Sequence, residues 1–146
     1  MQADRFTQKS LEAVNSLQKT AMDFGNQEIE QEHLLYVLLN QENSLILQMI
    51  EKMGIDANLF RNEVEAAINK RVKVQGGQPY VGQYLNYTLN YAENEAKKMG
   101  DEYVSVEHLF LAMLRHPSPS MKELFRQNGI TVDRFLQALQ SVRGNQ

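Results

Sequence analysis

The chain has no cysteine, only three prolines, no Gly-Lys pair and no long apolar run. Each shortage closes a class of function. Without cysteine there is neither a disulfide framework nor a thiolate nucleophile. Such a chain suits a reducing compartment, and the cytoplasm is the expected location. No segment approaches the ~18–20 apolar residues of a spanning helix, so no membrane role is expected. The opening stretch, MQADRFTQK, reads as neither a secretory signal nor an anchor. Charge of one sign is missing too: 15 Lys and Arg are interspersed with 18 Asp and Glu, for a net charge of −3. That leaves no basic surface for nucleic acid. The phosphate-cradling pattern G-x-x-x-x-G-K-[ST] and the G-x-S-x-G elbow are both absent. Nucleotide and serine-hydrolase chemistry therefore have no local basis here. The expectation is a non-catalytic chain with no cofactor and no metal.

What is present is helical periodicity. The 146 residues fit one domain or two small ones. A chain of this size buries about 70% of its unfolded surface without a staple. Thr7 is placed to cap a long first helix ending at Gly25, with Val14, Leu17, Ala21 and Phe24 on its apolar face. Further helices are predicted over Gln31–Leu39, Ser44–Met53 and Ala57–Lys70, the last capped by Asp56. Val72–Pro79, "VKVQGGQP", breaks the pattern and reads as a linker. A second set then follows. One helix carries Leu85, Leu89, Ala92, Ala96 and Met99 and stops at Gly100. Ser105 is placed to cap Val106–His116, Ser120–Asn128 comes next, and a last helix starts at Thr131 or Asp133.

The second set repeats the first at a constant offset of 75 residues, without a gap. Gly25 meets Gly100, Gly54-Ile55 meets Gly129-Ile130, and Phe60 meets Phe135. "EHLLYVLL" at Glu32 meets "EHLFLAML" at Glu107. The period exceeds that of the solenoid repeats. The prediction is an all-α fold of eight helices: two four-helix repeats, 6–71 and 81–146, joined by a linker at 72–80 and related by a pseudo-two-fold axis.

Several residues invite a chemical reading. Glu32 and Glu107 open matching helices, where a carboxylate complements the orphan N–H groups and the helix dipole. The same oxygens could instead face a peptide backbone or a cationic side chain. His33 and His108 lack an i,i+4 partner ligand, so a packed or capping imidazole is favoured over metal binding. Tyr84, Tyr87 and Tyr91 lie on one side of the fifth helix, where the first repeat has Lys9, Glu12 and Ser16. They either pack under the linker against Val72, Val74 and Tyr80, or stay partly exposed as a binding stripe. Lys70-Arg71 and Lys97-Lys98 sit at helix ends and complement the C-terminal dipole.

The doubled "EHLL/EHLF", preceded by "GNQEIEQ" and "GDEYVSV", together with the "RFTQKSLEAV" start, resembles the Clp N-terminal repeat domain. "KRVKVQGGQPYVGQYL" and the closing "LQSVRGNQ" are most similar to the ClpB-type AAA+ disaggregase branch. The resemblance runs from Phe6 to Gln146. It implies the N-terminal, substrate-recognising part of a longer ATP-dependent chaperone that engages unfolded or aggregated protein. The ATP sites, a coiled coil, the homohexameric ring and cooperation with an Hsp70-type system would belong to the rest of that protein. The isolated domain would be a monomer. The resemblance carries a polar trio onto Thr7, Asp101 and Glu107, and an apolar groove onto Tyr91, Glu95 and His108, where the family often has leucine. The ClpC and ClpA branches imply an alternative, adaptor docking or phosphoarginine binding, through Glu32 and Glu107. The residues expected to touch a partner are therefore Thr7, Tyr91, Asp101, Glu107, Glu32, Tyr84, Tyr87 and His108.

Overall fold

The computed structural model describes residues 3–144. The end of the predicted second repeat and of the "LQSVRGNQ" match falls on Asn145 and Gln146, outside the described residues. A short 3-10 turn, Ala3–Arg5, precedes α1 (Gln8–Asn15) and α2 (Leu17–Asp23). Then come α3 (Gln31–Asn40), α4 (Leu45–Lys52), α5 (Ala57–Asn69), α6 (Gln83–Lys98), α7 (Val106–Arg115), α8 (Pro119–Gln127) and α9 (Val132–Arg143). All eight predicted helices are present, with one correction. The first is broken at Ser16 into α1 and α2. There Ser16 Oγ donates to Ala13 O at 2.9 Å and Thr20 Oγ1 donates to Ser16 O at 2.8 Å. Hydroxyls that bond back into the preceding turn bend a helix.

The helix ends follow local chemistry. Thr7, Ser44, Asp56, Ser118 and Thr131 each accept a backbone N–H with the side chain, as N-caps do. Gly25, Gly54, Gly100 and Gly129 all have positive φ, between 65° and 81°. Each ends its helix with the six-to-one bond of a Schellman turn, for example Asn26 N to Ala21 O and Asp101 N to Ala96 O.

The core is built around α3 and α7, which touch each other and each gather helices of their own repeat. Every residue from Val106 to Leu114 is buried. Phe110 packs against Phe125 and Phe135, with ring centroids 5.9 and 4.7 Å apart. Gln31, fully buried at the start of α3, donates to Thr88 Oγ1 and His116 O and accepts from Ser118 N. The start of α3 thus lies beside the end of α7.

The pseudo-two-fold relation appears in short extended pieces that periodicity does not reveal. β1 (Glu28–Ile29) pairs in parallel with β2 (Tyr80–Val81). Phe6 pairs in parallel with Val104. At the offset of 75 these are the same pairing: Gly82 N donates to Ile29 O at 2.8 Å, and Thr7 N donates to Val104 O at 2.9 Å. Each repeat lends the segment before its first helix to the segment before the other repeat's central helix. Two-residue strands have no alternation to read, and their partners lie in the opposite half of the chain.

Candidate functional site

The entrance to α7 is an assembled polar cluster. Ser105 N donates to His108 Nδ1 at 2.9 Å, which leaves the ring hydrogen on Nε2. That nitrogen donates to Asp101 Oδ2 at 2.7 Å. Arg143, arriving from the end of α9, binds Asp101 at 2.9 Å and Glu107 at 2.7 Å. Burial works against the charge on both carboxylates, but hydrogen bonds outweigh it. Arg143 and His108 hold Asp101 below its ordinary value, and Ser105 and Arg143 do so for Glu107. Thr7 joins the cluster through its backbone bond to Val104 and through Ser10, whose hydroxyl donates to Val104 O at 2.7 Å. Asp101 is the most reachable acid, with its side chain 28% exposed against 9% for Glu107.

The entrance to α3 repeats this plan with different residues. Glu30 N donates to His33 Nδ1 at 2.9 Å, so His33 Nε2 carries the hydrogen and donates to Asn26 Oδ1 at 2.9 Å. Burial, aided by the Arg71 guanidinium, pushes His33 down to about 4. Arg71 bridges Glu28 and Glu32, the latter at 3.0 Å. Glu30 accepts from Gln31 N, Tyr84 N and Leu85 N, capping α3 and α6 together. Burial raises its carboxyl despite those backbone bonds.

The structure does not gather the eight expected residues into one site. Thr7, Asp101, Glu107 and His108 stand at the start of α7. Tyr84, Tyr87 and Tyr91 flank its end, where Tyr87 and Tyr91 stack at 4.5 Å and both rings meet His116. A ten-residue helix separates the two groups by about 15 Å. Glu32 stands with neither group: it lines a cleft between α5 and α8, where Ser120 donates to it. The tyrosines do not pack under the linker; all three stay partly exposed, and Tyr84 and Tyr87 line a hollow of about 260 Å³ beside Pro117. The groove positions Glu95 and His108 are buried at 3% and 1%. Glu95 holds Arg115 at 2.7 Å and Lys98 at 3.5 Å. An ion pair thus fills the place expected to be apolar, and His108 supports Asp101 from beneath. Among the described residues no group of three or more His, Cys, Asp or Glu converges for a metal. Both imidazoles are capping groups.

Sequence reasoning missed the ion pairs of the two arginines: it set Arg71 at a helix end as a complement to the dipole and did not single out Arg143. The offset places Arg71 opposite Gln146 and Arg143 opposite Ile68. Two unrelated positions thus reach equivalent acids, and no repeat signal announces either.

A family model described as "Clp repeat (R) N-terminal domain" matches residues 5–128. The chain belongs to the Clp repeat N-terminal domain family. Over its full length this Clp repeat domain is 36% identical to the chaperone protein ClpB of Nitratidesulfovibrio vulgaris. It is also 36% identical to ClpB of Bacillus anthracis. It spans only 18% and 17% of those two relatives. Among solved structures it is similar to the Hsp104 N-terminal domain of Candida albicans, with a TM-score of 0.81 and 21% identity. That match covers 97% of this chain and 93% of the other. A ClpV N-domain in complex with a VipB peptide matches at a TM-score of 0.75 and 20% identity, covering 94% of this chain and 86% of that one. The last two likenesses concern the Clp repeat fold.

Proposed function

We propose that this chain is the substrate-recognition domain of a longer ClpB-type disaggregase. It would hold unfolded or aggregated polypeptide and release it to an ATP-driven ring formed by the rest of the protein. The carrying observation is the ordered acidic cluster at the start of α7, where Arg143 fixes Asp101 and Glu107 while Asp101 stays reachable. A fixed acceptor at a helix entrance binds backbone N–H or cationic groups without first ordering its own side chain. Family membership and whole-length similarity to ClpB support the reading. So does the peptide complex of a ClpV N-domain of the same fold.

Weak binding suits such a role. A micromolar site is worth about −8 kcal/mol, and six tethered copies in a homohexamer add avidity. The repeats 6–71 and 81–146 with a linker at 72–80, a monomeric isolated domain, a cytoplasmic location and an Hsp70-type partner complete the proposal. ATP would bind only in the remainder of the protein. The alternative of adaptor or phosphoarginine docking at Glu32 and Glu107 is less favoured. Glu32 and Glu107 are both buried, whereas the Asp101 side chain is reachable.

The test is an amide-shift NMR titration of the domain with a permanently unfolded protein. Shifts are expected at Thr7, Asp101 and Glu107, weakened in Asp101→Asn. An unfolded partner that binds while leaving all three unmoved would overturn the assignment.

A further inference from the structure

The end of α9 and the entrance to α7 are one assembly. α9 is fixed early in its length: Phe135 and Leu139 are buried, and Arg134 donates to Met53 O at 2.6 Å. Beyond Leu139 no described residue of the helix is buried, and Gln140 is exposed. The last turn closes with Gly144 N donating to Gln140 O at 2.6 Å. From that turn the Arg143 guanidinium reaches Asp101 at 2.9 Å and Glu107 at 2.7 Å. Among the described residues these are the only ion pairs that α9 makes.

The first repeat places its arginine differently. Arg71 clasps Glu28 and Glu32 at the entrance to α3. It lies past α5 and its cap Lys70, next to chain that is tied down separately. Asn26 Nδ2 donates to Val72 O at 3.1 Å, and Val74 N donates to Gly25 O at 2.9 Å. Arg71 is thus placed by the linker as well as by its helix. Arg143 stands inside the last turn of α9, and its reach depends on that turn.

Helix ends open at little cost, because their last carbonyls have no partner further along the helix. Where α9 unwinds back to Gln140, Arg143 withdraws, and Asp101 and Glu107 lose the group that fixes both. A neutral backbone N–H then meets acceptors that it must itself help to order, and it binds more weakly. Where the turn is wound, the acceptors are ready.

We propose that the last turn of α9 is a coupling element: polypeptide binding at the α7 cluster and winding of 140–144 favour each other through Arg143. The coupling is reciprocal, so whatever factor the wound turn adds to binding, bound polypeptide adds to winding. It rests on the reading of the α7 cluster as a polypeptide site in a longer protein. In that protein the chain leaving α9 would act on the grip. Drawing out the last turn withdraws Arg143 and loosens the hold on polypeptide.

The test follows amide hydrogen exchange and binding in the full chain, with reduced, carbamidomethylated lactalbumin as the unfolded probe. In the free domain, Asp101→Asn changes nothing on α9 itself. It is expected to lower the protection of the Val142, Arg143 and Gly144 amides about two- to fivefold, the scale of one partly exposed ion pair, and to leave Leu139 unchanged. Saturating probe should raise protection at the same three amides by a similar factor. Gln140→Gly loosens the turn from an exposed position. It should weaken probe binding by up to about fivefold in the wild type and add nothing in Arg143→Gln, where the link is already cut. Unchanged protection in Asp101→Asn, equal weakening by Gln140→Gly in both backgrounds, or tighter binding by Arg143→Gln would overturn the coupling. Shifts at Thr7, Asp101 and Glu107 without a gain in protection at the end of α9 would overturn the coupling alone. A probe that shifts none of those three residues overturns the α7 assignment and the coupling with it.

Discussion

Acid should unfold this domain partly through one buried imidazole. His33 is fully buried, with Nδ1 accepting the Glu30 N–H and Nε2 donating to Asn26. Burial and the nearby Arg71 push it down to about 4, from an ordinary value of about 6.5. Between those values the unfolded chain binds a proton that the folded chain refuses, so stability falls as the pH falls. At about 1.4 kcal/mol per pH unit, the loss over the whole window is about 3 kcal/mol. About 2 kcal/mol of it arrives by about pH 5. That is a large share of a typical domain's stability of about 5–15 kcal/mol. Other groups titrate nearby: Glu30, raised by burial, acts with the opposite sign, and Asp101 and Glu107 act with the same sign at lower pH. A difference measurement isolates His33. His33→Gln keeps an acceptor and a donor but has no proton to gain. Urea unfolding followed by circular dichroism should show the wild type losing about 2 kcal/mol more than the variant between neutral pH and about pH 5. Parallel stability curves would refute the reasoning.

Other outcomes follow from single contacts. A Cβ on Gly82 would lie 2.5 Å from Glu30 Oε2. Gly82→Ala should therefore pull the carboxylate off the start of α6 and cost about 1–3 kcal/mol in a thermal melt; an unchanged midpoint would refute this. Gln31→Leu should cost about 2–4 kcal/mol in urea unfolding, because Ser118 N–H and His116 O lose their buried partner. Arg143→Ala should raise the Asp101 and Glu107 carboxyls toward ordinary values in a carbon-detected NMR titration. Their contribution is present near neutrality and lost as the pH falls through their lowered values, so this variant should be weakened at neutral pH and little changed in strong acid.

Much of the fold was legible because it is written locally. A capping hydroxyl, a glycine three or four residues past an apolar face and a constant offset each need only a short window of sequence. The break at Ser16 was hidden because its cause, two hydroxyls bonding back into the helix, depends on rotamers. The site was less legible. Resemblance set Tyr91 beside the polar trio, but Tyr87 and Tyr91 pack on His116 at the end of α7, while Asp101, Glu107 and His108 stand at its start. Arg71 and Arg143 were unreadable because ion pairs across 39 and 36 residues have no periodic signature. Glu95 was read as a groove position, and its burial with Arg115 turns that place into a polar support.

The crossed pairing of Phe6 with Val104 and of Ile29 with Val81 bears on how the molecule comes apart. A tandem duplication ordinarily suggests two modules, one able to loosen while the other holds. Here the first segment of each half is stitched into the other half, and neither hydrophobic face closes until both segments have crossed over. Injury to one copy should therefore spread to its twin, and melting is expected to be a single all-or-none event. The sequence divides into two, while its stability does not.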